Sequence, residues 1–362
     1  MSSEFGKCIR VSIFGESHGE TIGVVLDGLP AGEPIDLAAI DVQLSRRAPG
    51  RDKSATPRKE SDAFRILSGL FEGKTTGAPL CAVIENTNTK SSDYANLRRL
   101  PRPSHSDYAA FVKYGGHNDV RGGGHFSGRL TAPLVIAGAV CRQMLARRGV
   151  TVGGHVLEIG AAADTPFDPV HVTAQELAAL SQNYFATRSP KAEEAMRAEI
   201  EAARRSLDSV GGRVEIAAVG LPAGLGFPMF RGVENVVAAA LYGVPAVKSV
   251  SFGAGERFAA LHGSESNDQM HMDGGAVRTL TNHCGGITGG ITNGMPLLVW
   301  ATCKPTPSIA RAQRTVDLSA MEDATLEIHG RHDPCIVPRA LPAAEAAVAV
   351  ALADLMREDG RL

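Results

Sequence analysis

The chain lacks any CxxC pair or zinc-type spacing among its six cysteines, Cys8, Cys81, Cys141, Cys284, Cys303 and Cys335. A structural zinc site and a thioredoxin-like dithiol are therefore excluded, and six thiols without a framework fit a reduced, cytoplasmic protein. Charge of one sign is also missing. There are 37 basic residues against 39 acidic ones, a net −2, whereas a general nucleic-acid binder carries a basic surplus. Long apolar runs are absent: the most apolar helical stretch, Leu130 to Leu145, is short and holds Arg142, so it reads as a core helix and not a membrane span. Glu4 and Lys7 interrupt the first residues, which argues against a signal peptide. Nor does G-x-G-x-x-G occur, which removes the commonest dinucleotide fingerprint.

What is there is ordinary globular composition with one excess. Of 362 residues 44% are apolar and 21% charged, but 40 are glycine where about 25 would be average. That surplus points to many tight turns or to backbone approaching a ligand closely. Basic residues also cluster. Arg46, Arg47, Arg51, Lys53, Arg58 and Lys59 face only Asp52 in their stretch, and Arg98, Arg99 and Arg102 form a second group. In a neutral protein such clusters fit a focused anion site, with a solvated basic loop as the alternative.

The pattern along the chain predicts a strand over 8–14, a tight GESHG turn at 15–19 and a strand over 21–26. A helix capped by Asp36 follows to about Arg47. Strands are predicted near 64–70 and 79–86, then an irregular, polar stretch over 87–128 of the length that is often functional. A long helix over 129–148 precedes a strand at 150–159. Thr173 with Glu176 reads as a capping box, and Pro190 opens another helix to about Leu207. Strands near 213–219, 247–253 and 295–303, a helix around 232–242 and a last helix over 342–357 complete the chain. GLPAG occurs twice after an apolar strand, at 28–32 and 220–224, which points to a duplicated β element. With no low-complexity linker, one domain over 1–362 is expected.

The chemical motifs are individually weak. GESHG fits the G-x-S-x-G nucleophile elbow of a serine hydrolase, but only 14 residues precede it, too few for the sheet an elbow needs. EGKTTG (72–77) fails as a P-loop because Ser68 stands where the first glycine is required. RGGGHFSGR (121–129) leads into the long helix, where consecutive backbone N–H groups bind anions, and a plain loop before a cap is the other reading. A second glycine cluster, NHCGGITGGITNG, spans 282–294. KPTPS (304–308) offers one cation and two hydroxyls, a set suited to phosphate. RHDPC (331–335) places Arg, His and Asp together, as a salt bridge or a catalytic group. By themselves these features indicate an enzyme acting on a polyanionic small molecule.

Taken in order, FGESHG (14–19), DGLPAG (27–32), RRAPG (46–50), TPRKESD (56–62), RPSHSDY (102–108), RGGG (121–124), GLPAGLG (220–226), NHCGGITGGITNG, KPTPSI (304–309) and GRHDPC (330–335) resemble the chorismate synthases. The resemblance implies an α+β fold, a single-domain β-α-β sandwich with helices between two antiparallel sheets, assembled as a homotetramer. It implies a lyase that eliminates phosphate from 5-enolpyruvylshikimate 3-phosphate with reduced FMN, NADPH being a candidate reductant and an external flavin reductase a candidate partner. By resemblance His18 protonates the leaving phosphate, His105 protonates the flavin and Asp333 assists hydrogen removal. Arg47, Lys53, Arg102, Ser127, Arg129 and Arg331 would bind substrate, and Arg47 and Lys53 would also touch NADP. His125, Phe126, Ser127, Pro245, Ala246, Gly289, Lys304, Pro305, Thr306, Pro307, Ser308 and Arg331 would hold the cofactor. The chain departs from the family pattern at Ala48, Ser104, His125, Phe126, Leu130 and Pro245, where Arg, Gly, Arg, Ser, Glu and Asn are usual. An inactive flavin- or anion-binding relative is the alternative within this resemblance.

Overall fold

The computed structural model describes residues 3–50, 62–87, 96–328 and 333–362. A first antiparallel sheet is built from β1 (Glu4–Phe5), β2 (Arg10–Gly15), β3 (Thr21–Asp27), β4 (Phe64–Ser68) and β7 (Leu80–Glu85), in the order β1-β2-β3-β7-β4. The small hairpin β5 (Leu70–Phe71) and β6 (Lys74–Thr75) lies between β4 and β7. The second sheet contains β8 (Thr151–Ile159), β9 (Ala162–Ala163), β10 (Gly212–Val219), β11 (Val247–Phe252) and β16 (Leu297–Cys303), in the order β9-β8-β10-β16-β11. Hairpins β12 (Met270–Asp273) with β13 (Ala276–Thr279), β14 (Ile287–Thr288) with β15 (Ile291–Thr292), and β17 (Gln313–Asp317) with β18 (Glu322–Leu326) stand apart from it.

Helices α1 (Leu37–Arg47), α3 (Thr131–Ala146), α6 (Val233–Tyr242) and α8 (Val337–Glu358) form the layer between the sheets. The Asp36 side chain accepts from Ala38 N and starts α1 as expected. Helices α3 and α8 are buried nearly all round, because α3 packs on the first sheet, α8 on the second, and each on the other. At their crossing Gly138 faces Ala346, and a Cβ there would lie 2.2 Å from the alanine's own Cβ. Helices α2 (Asp107–Tyr114), α4 (Ala174–Leu180), α5 (Pro190–Arg205) and the one-turn α7 (Gly263–Ser266) lie outside this layer.

The repeated GLPAG turns are equivalent in detail. Gly32 N donates to Thr75 O at 2.7 Å and Gly224 N to Thr292 O at 2.8 Å. Thr75 Oγ1 donates to Pro30 O, and Thr292 Oγ1 to Pro222 O, both at 2.6 Å. The same hydroxyls accept from Glu33 N and Leu225 N, both at 2.9 Å. The threonines come from GKTTGAPL (73–80) and GITNGMPL (290–297), each of which leads into the closing strand of its sheet. Apart from β1 and α2 in the first half and β9, α4, α5, α7, β12–β13 and β17–β18 in the second, each half therefore runs strand, strand, GLPAG, helix, strand, hairpin, strand, helix, and the duplication extends well beyond five residues.

Two expectations need correction. The stretch 87–128 is not wholly irregular, since α2 lies within it, closed by Gly115 at φ 59° in the left-handed region. The last helix starts at Val337 and not at Pro342. Pro338 occupies its first turn, where a missing N–H costs nothing, and Pro342 is carried inside the helix.

Candidate functional site

A cavity of about 1880 Å³ opens where the turn after β2, the segment 102–131, Val244–Ala246, the loop 304–308 and the start of α8 converge. Drug-sized ligands occupy roughly 300–1,000 Å³, so there is room for two such molecules together.

The turn after β2 begins at Gly15, whose φ of 96° brings a hypothetical Cβ within 2.3 Å of Thr21 O. Only glycine fits there. Ser17 N then donates to Gly124 O at 3.1 Å, tying the turn to the triple glycine. His18 is buried and lies 3.3 Å, through Nδ1, from Ser17 Oγ. It sits directly behind the wall formed by Ser17, Gly19 and Gly122, which do line the cavity.

Gly122, Gly123 and Gly124 all have positive φ, at 60°, 87° and 55°. The first two seat the two histidines. A Cβ on Gly122 would come within 2.2 Å of His18 Nδ1, and one on Gly123 within 3.3 Å of His105 Nε2. The sequence suggests an anion-binding helix entry here, whereas the resolved geometry is a thin backbone wall with an imidazole on each side.

His105 Nδ1 lies 2.6 Å from Asp107 Oδ1. Burial pushes the Asp107 pKa up, but hydrogen bonds from Arg102 and His105 outweigh it and hold the carboxyl well below the usual range. An ionised carboxylate only accepts, so Nδ1 carries a hydrogen toward Asp107 and the ring turns Nε2 toward Gly123. Arg102 grips Asp107 through Nε at 2.7 Å and Nη2 at 2.8 Å, and reaches Ser308 Oγ through Nη1 at 3.2 Å. That last bond joins the histidine loop to the KPTPS loop, as does Lys304 Nζ donating to Ser104 O. Ser104 holds φ 59°, a left-handed conformation that explains the glycine usual in the family pattern.

Arg47 and Arg129 line the cavity and share one buried acceptor. Arg47 Nη1 donates to Asp62 Oδ2 at 2.8 Å, and Arg129 Nη1 donates to Asp62 Oδ1. Arg47 also holds Thr131 Oγ1 and Gly128 O, at 3.1 and 3.2 Å. Burial raises the Asp62 pKa, yet the two guanidinium groups pull it below its ordinary value. Asp333 lines the cavity as well, ion-paired with Arg339, whose Nε donates to Arg47 O at 3.0 Å.

Of the expected cofactor contacts, His125, Phe126, Ser127, Pro245, Ala246, Lys304, Thr306, Pro307 and Ser308 line the cavity. His125 has both ring nitrogens engaged, with Gly15 O at 2.7 Å and Ser3 Oγ at 2.6 Å. Two buried polar atoms of the lining, Thr306 Oγ1 and Asn118 Oδ1, have no hydrogen-bond partner among the described residues. A buried hydroxyl without a partner is costly, and a ligand with phosphate or carbonyl oxygens would satisfy Thr306. Pro305 and Gly289 stand outside the lining. Pro305 packs over Gly211, and Gly289 lies in the β14–β15 hairpin with open space around its Cβ direction. Lys53 and Arg331 lie outside the described residues.

Reading the sequence missed Asp62, Asn86, Asp107 and Arg339. For Asp107 a signal existed: an acidic residue two positions after a histidine in SHSD. Asp62, Asn86 and Arg339 act on partners 15, 43 and 292 positions away, which no local pattern encodes.

Buried arginines, an oriented imidazole on one side of a glycine wall, a second imidazole behind it and an orphaned hydroxyl define an enzyme site for a polyanionic small molecule. The chain belongs to the chorismate synthase family, whose model matches residues 9–356. Chorismate synthase of Thermococcus kodakarensis is 47% identical over 349 residues, 96% of either chain. That of Dehalococcoides mccartyi is 45% identical over 360 residues, covering 99% of this chain and 98% of the relative. A crystal structure of a chorismate synthase superposes with a TM-score of 0.76 at 28% identity, over 98% of this chain and 93% of the other.

Proposed function

We propose that this chain eliminates phosphate from 5-enolpyruvylshikimate 3-phosphate to give chorismate, with reduced FMN bound in the same cavity. The observation that carries the reading is the pair of histidines seated on Gly122 and Gly123, beside a cavity ringed by Arg47, Arg102 and Arg129. The substrate bears a phosphate and two carboxylates. Guanidinium groups fixed by Asp62 and Asp107 meet such an anion without first having to be ordered, and they stabilise charge on the departing phosphate. In this reading Arg47, Lys53, Arg102, Ser127, Arg129 and Arg331 hold the substrate. His18 delivers a proton to the leaving oxygen as a general acid. His105, its Nδ1 pinned by Asp107, offers Nε2 for proton exchange with the cofactor, and Asp333 takes part in hydrogen removal.

The residues present fit a flavin nucleotide. Lys304, Thr306 and Ser308 supply the donors a phosphate needs, while Phe126, Pro245 and Ala246 supply apolar wall. Reduced FMN, when bound, supplies the electron density that lets the elimination proceed without net redox change. Arg47 with Lys53 is the candidate NADPH contact, and NADPH or an external flavin reductase would keep the cofactor reduced. We further propose one cooperative domain over 1–362, supported by a core that runs continuously from Ile9 to Leu362. A cytoplasmic homotetramer completes the proposal. Exposed Met270, Met272 and Phe230 provide apolar surface for a second copy, and no helix among the described residues is long and apolar enough to cross a membrane.

Anaerobic assays with photoreduced FMN test this reading: stoichiometric phosphate and chorismate are expected. Tight flavin binding without turnover would instead identify an inactive relative. Ester hydrolysis lost on Ser17→Ala, without any need for flavin, would identify a hydrolase.

A further inference from the structure

We infer that Asn86 is a positioning residue that couples the His18 turn to Arg129, so that the proton donor and a substrate cation share one geometry. The inference rests on the proposed roles of those two residues. Asn86 is the first residue after β7, where its backbone N donates to Glu20 O at 2.9 Å. Its side-chain nitrogen donates to Glu16 O at 3.1 Å and Gly19 O at 2.9 Å, the two residues flanking Ser17 and His18. Its side-chain oxygen accepts from Arg129 Nε at 3.1 Å. Both amide hydrogens and the carbonyl are thereby used, and the partners fix which way the amide faces. Two backbone carbonyls require the nitrogen, and a guanidinium N–H requires the oxygen.

No other side chain meets this demand. Aspartate would keep the Arg129 contact but set a charged oxygen against two carbonyls. Alanine would release all three partners. Glutamine would place the amide one methylene too far. The turn also has backbone ties of its own, Ser17 N to Gly124 O and Gly19 N to Glu16 O, both at 3.1 Å. Losing Asn86 therefore loosens the turn without dismantling it. Arg129 stays anchored to Asp62 at its other end, so its charge remains in the cavity while its Nε loses a fixed direction.

The test is steady-state kinetics on the full-length enzyme with reduced FMN, alongside melting temperatures, for wild type, Asn86→Ala and Asn86→Asp. Asn86→Ala is expected to lower kcat about 10- to 100-fold and to raise KM several-fold, since both partners are released. Asn86→Asp is expected to lower kcat by a similar factor and leave KM within about twofold, because the Arg129 contact survives. Should Asn86→Ala not fold, Asn86→Ser, which retains a donor, takes its place with a smaller loss of the same kind. A lower melting temperature with unchanged kcat and KM would overturn the inference and leave Asn86 a structural residue. His18→Ala and Arg129→Ala are measured in parallel. Wild-type constants in those controls would overturn the underlying site assignment. Impaired controls beside unimpaired Asn86 variants would overturn only the coupling.

Discussion

Gly28–Gly32 and Gly220–Gly224 fold alike and clasp equivalent threonines, yet the strands beside them are joined very differently. In the first half β2 and β3 are connected by residues 16–20, which carry Ser17 and His18. In the second half the connection from β8 to β10 spans 160–211 and contains β9, α4 and α5. The segments after the closing strands also diverge. Beyond β7 come Asn86, Arg102, His105 and the triple glycine; beyond β16 come Lys304, Ser308 and Asp333. These two segments meet, through Arg102 on Ser308 and Arg99 on Asp317. The repeated portion builds the scaffold, and the two histidines and the 304–308 loop lie in segments that were not kept alike.

The sharpest way to break this contrast is to alter a glycine in each half. Gly122→Ala is expected to cut turnover by about 10²- to 10⁴-fold, the loss typical of a displaced acid–base group, because its Cβ would strike His18. Gly289→Ala, whose Cβ meets nothing within 4 Å, is expected to cost only backbone strain of about 1–2 kcal/mol. Equal losses of turnover in the two variants would place the second glycine cluster in the site after all.

The shared scaffold predicts matched stability losses. Thr75→Val and Thr292→Val each remove a hydroxyl that bridges two backbone groups, and each should cost about 1–3 kcal/mol in urea unfolding. A difference between them much above 1 kcal/mol would mean that the two clasps are alike in geometry only.

Stability should also respond to pH at both ends of the range. In the second half His155 is wholly buried between Asp164 and Glu215, at 3.4 and 2.8 Å. Burial pushes its pKa down, but the two flanking carboxylates, Glu215 hydrogen-bonded to Nε2 and Asp164 near Nδ1, prevail and raise it. A raised pKa gives stability that is complete below the unfolded value near 6.5 and is lost as pH climbs through the folded value. Asp62 and Asp107, in the first half, have lowered values, so their contribution is complete above about pH 4 and fades as pH falls through those values. Unfolding between pH 3 and 10 should thus lose stability at both ends, by no more than about 1.4 kcal/mol per unit for each proton. His155→Gln should flatten the alkaline limb and also weaken the acid limb a little, since His155 helps hold the Asp164 pKa down. A smaller effect is expected from Ser104→Gly, a gain of at most about 1 kcal/mol from relief of the left-handed serine, visible as a higher melting temperature.

Much of the architecture was legible because it follows local rules: Asp36 as a cap, GESHG as a turn, apolar runs as sheet strands, GLPAG as a repeat. Helix α2 was not. Tyr108 and Val112 are exposed on it, so no apolar stripe marks it within a polar stretch. The start of α8 was obscured by Pro342, which reads as a first-turn proline although the chain is already helical. At the site, arginines, histidines and the KPTPS loop could be named from the family pattern. The acids and the amide that orient them could not, since Asp62 serves Arg47 and Arg129 and Asn86 serves Arg129 only once the chain has folded.

One wall with an imidazole on either side has a consequence for how this enzyme can vary. Bulk added at Gly122 presses on His18 and bulk added at Gly123 presses on His105, so each ring can be displaced from its own glycine. Each ring also has a neighbour of its own away from the glycines, Ser17 for one and Asp107 for the other, so adjacent residues of one backbone strip address two independently held groups.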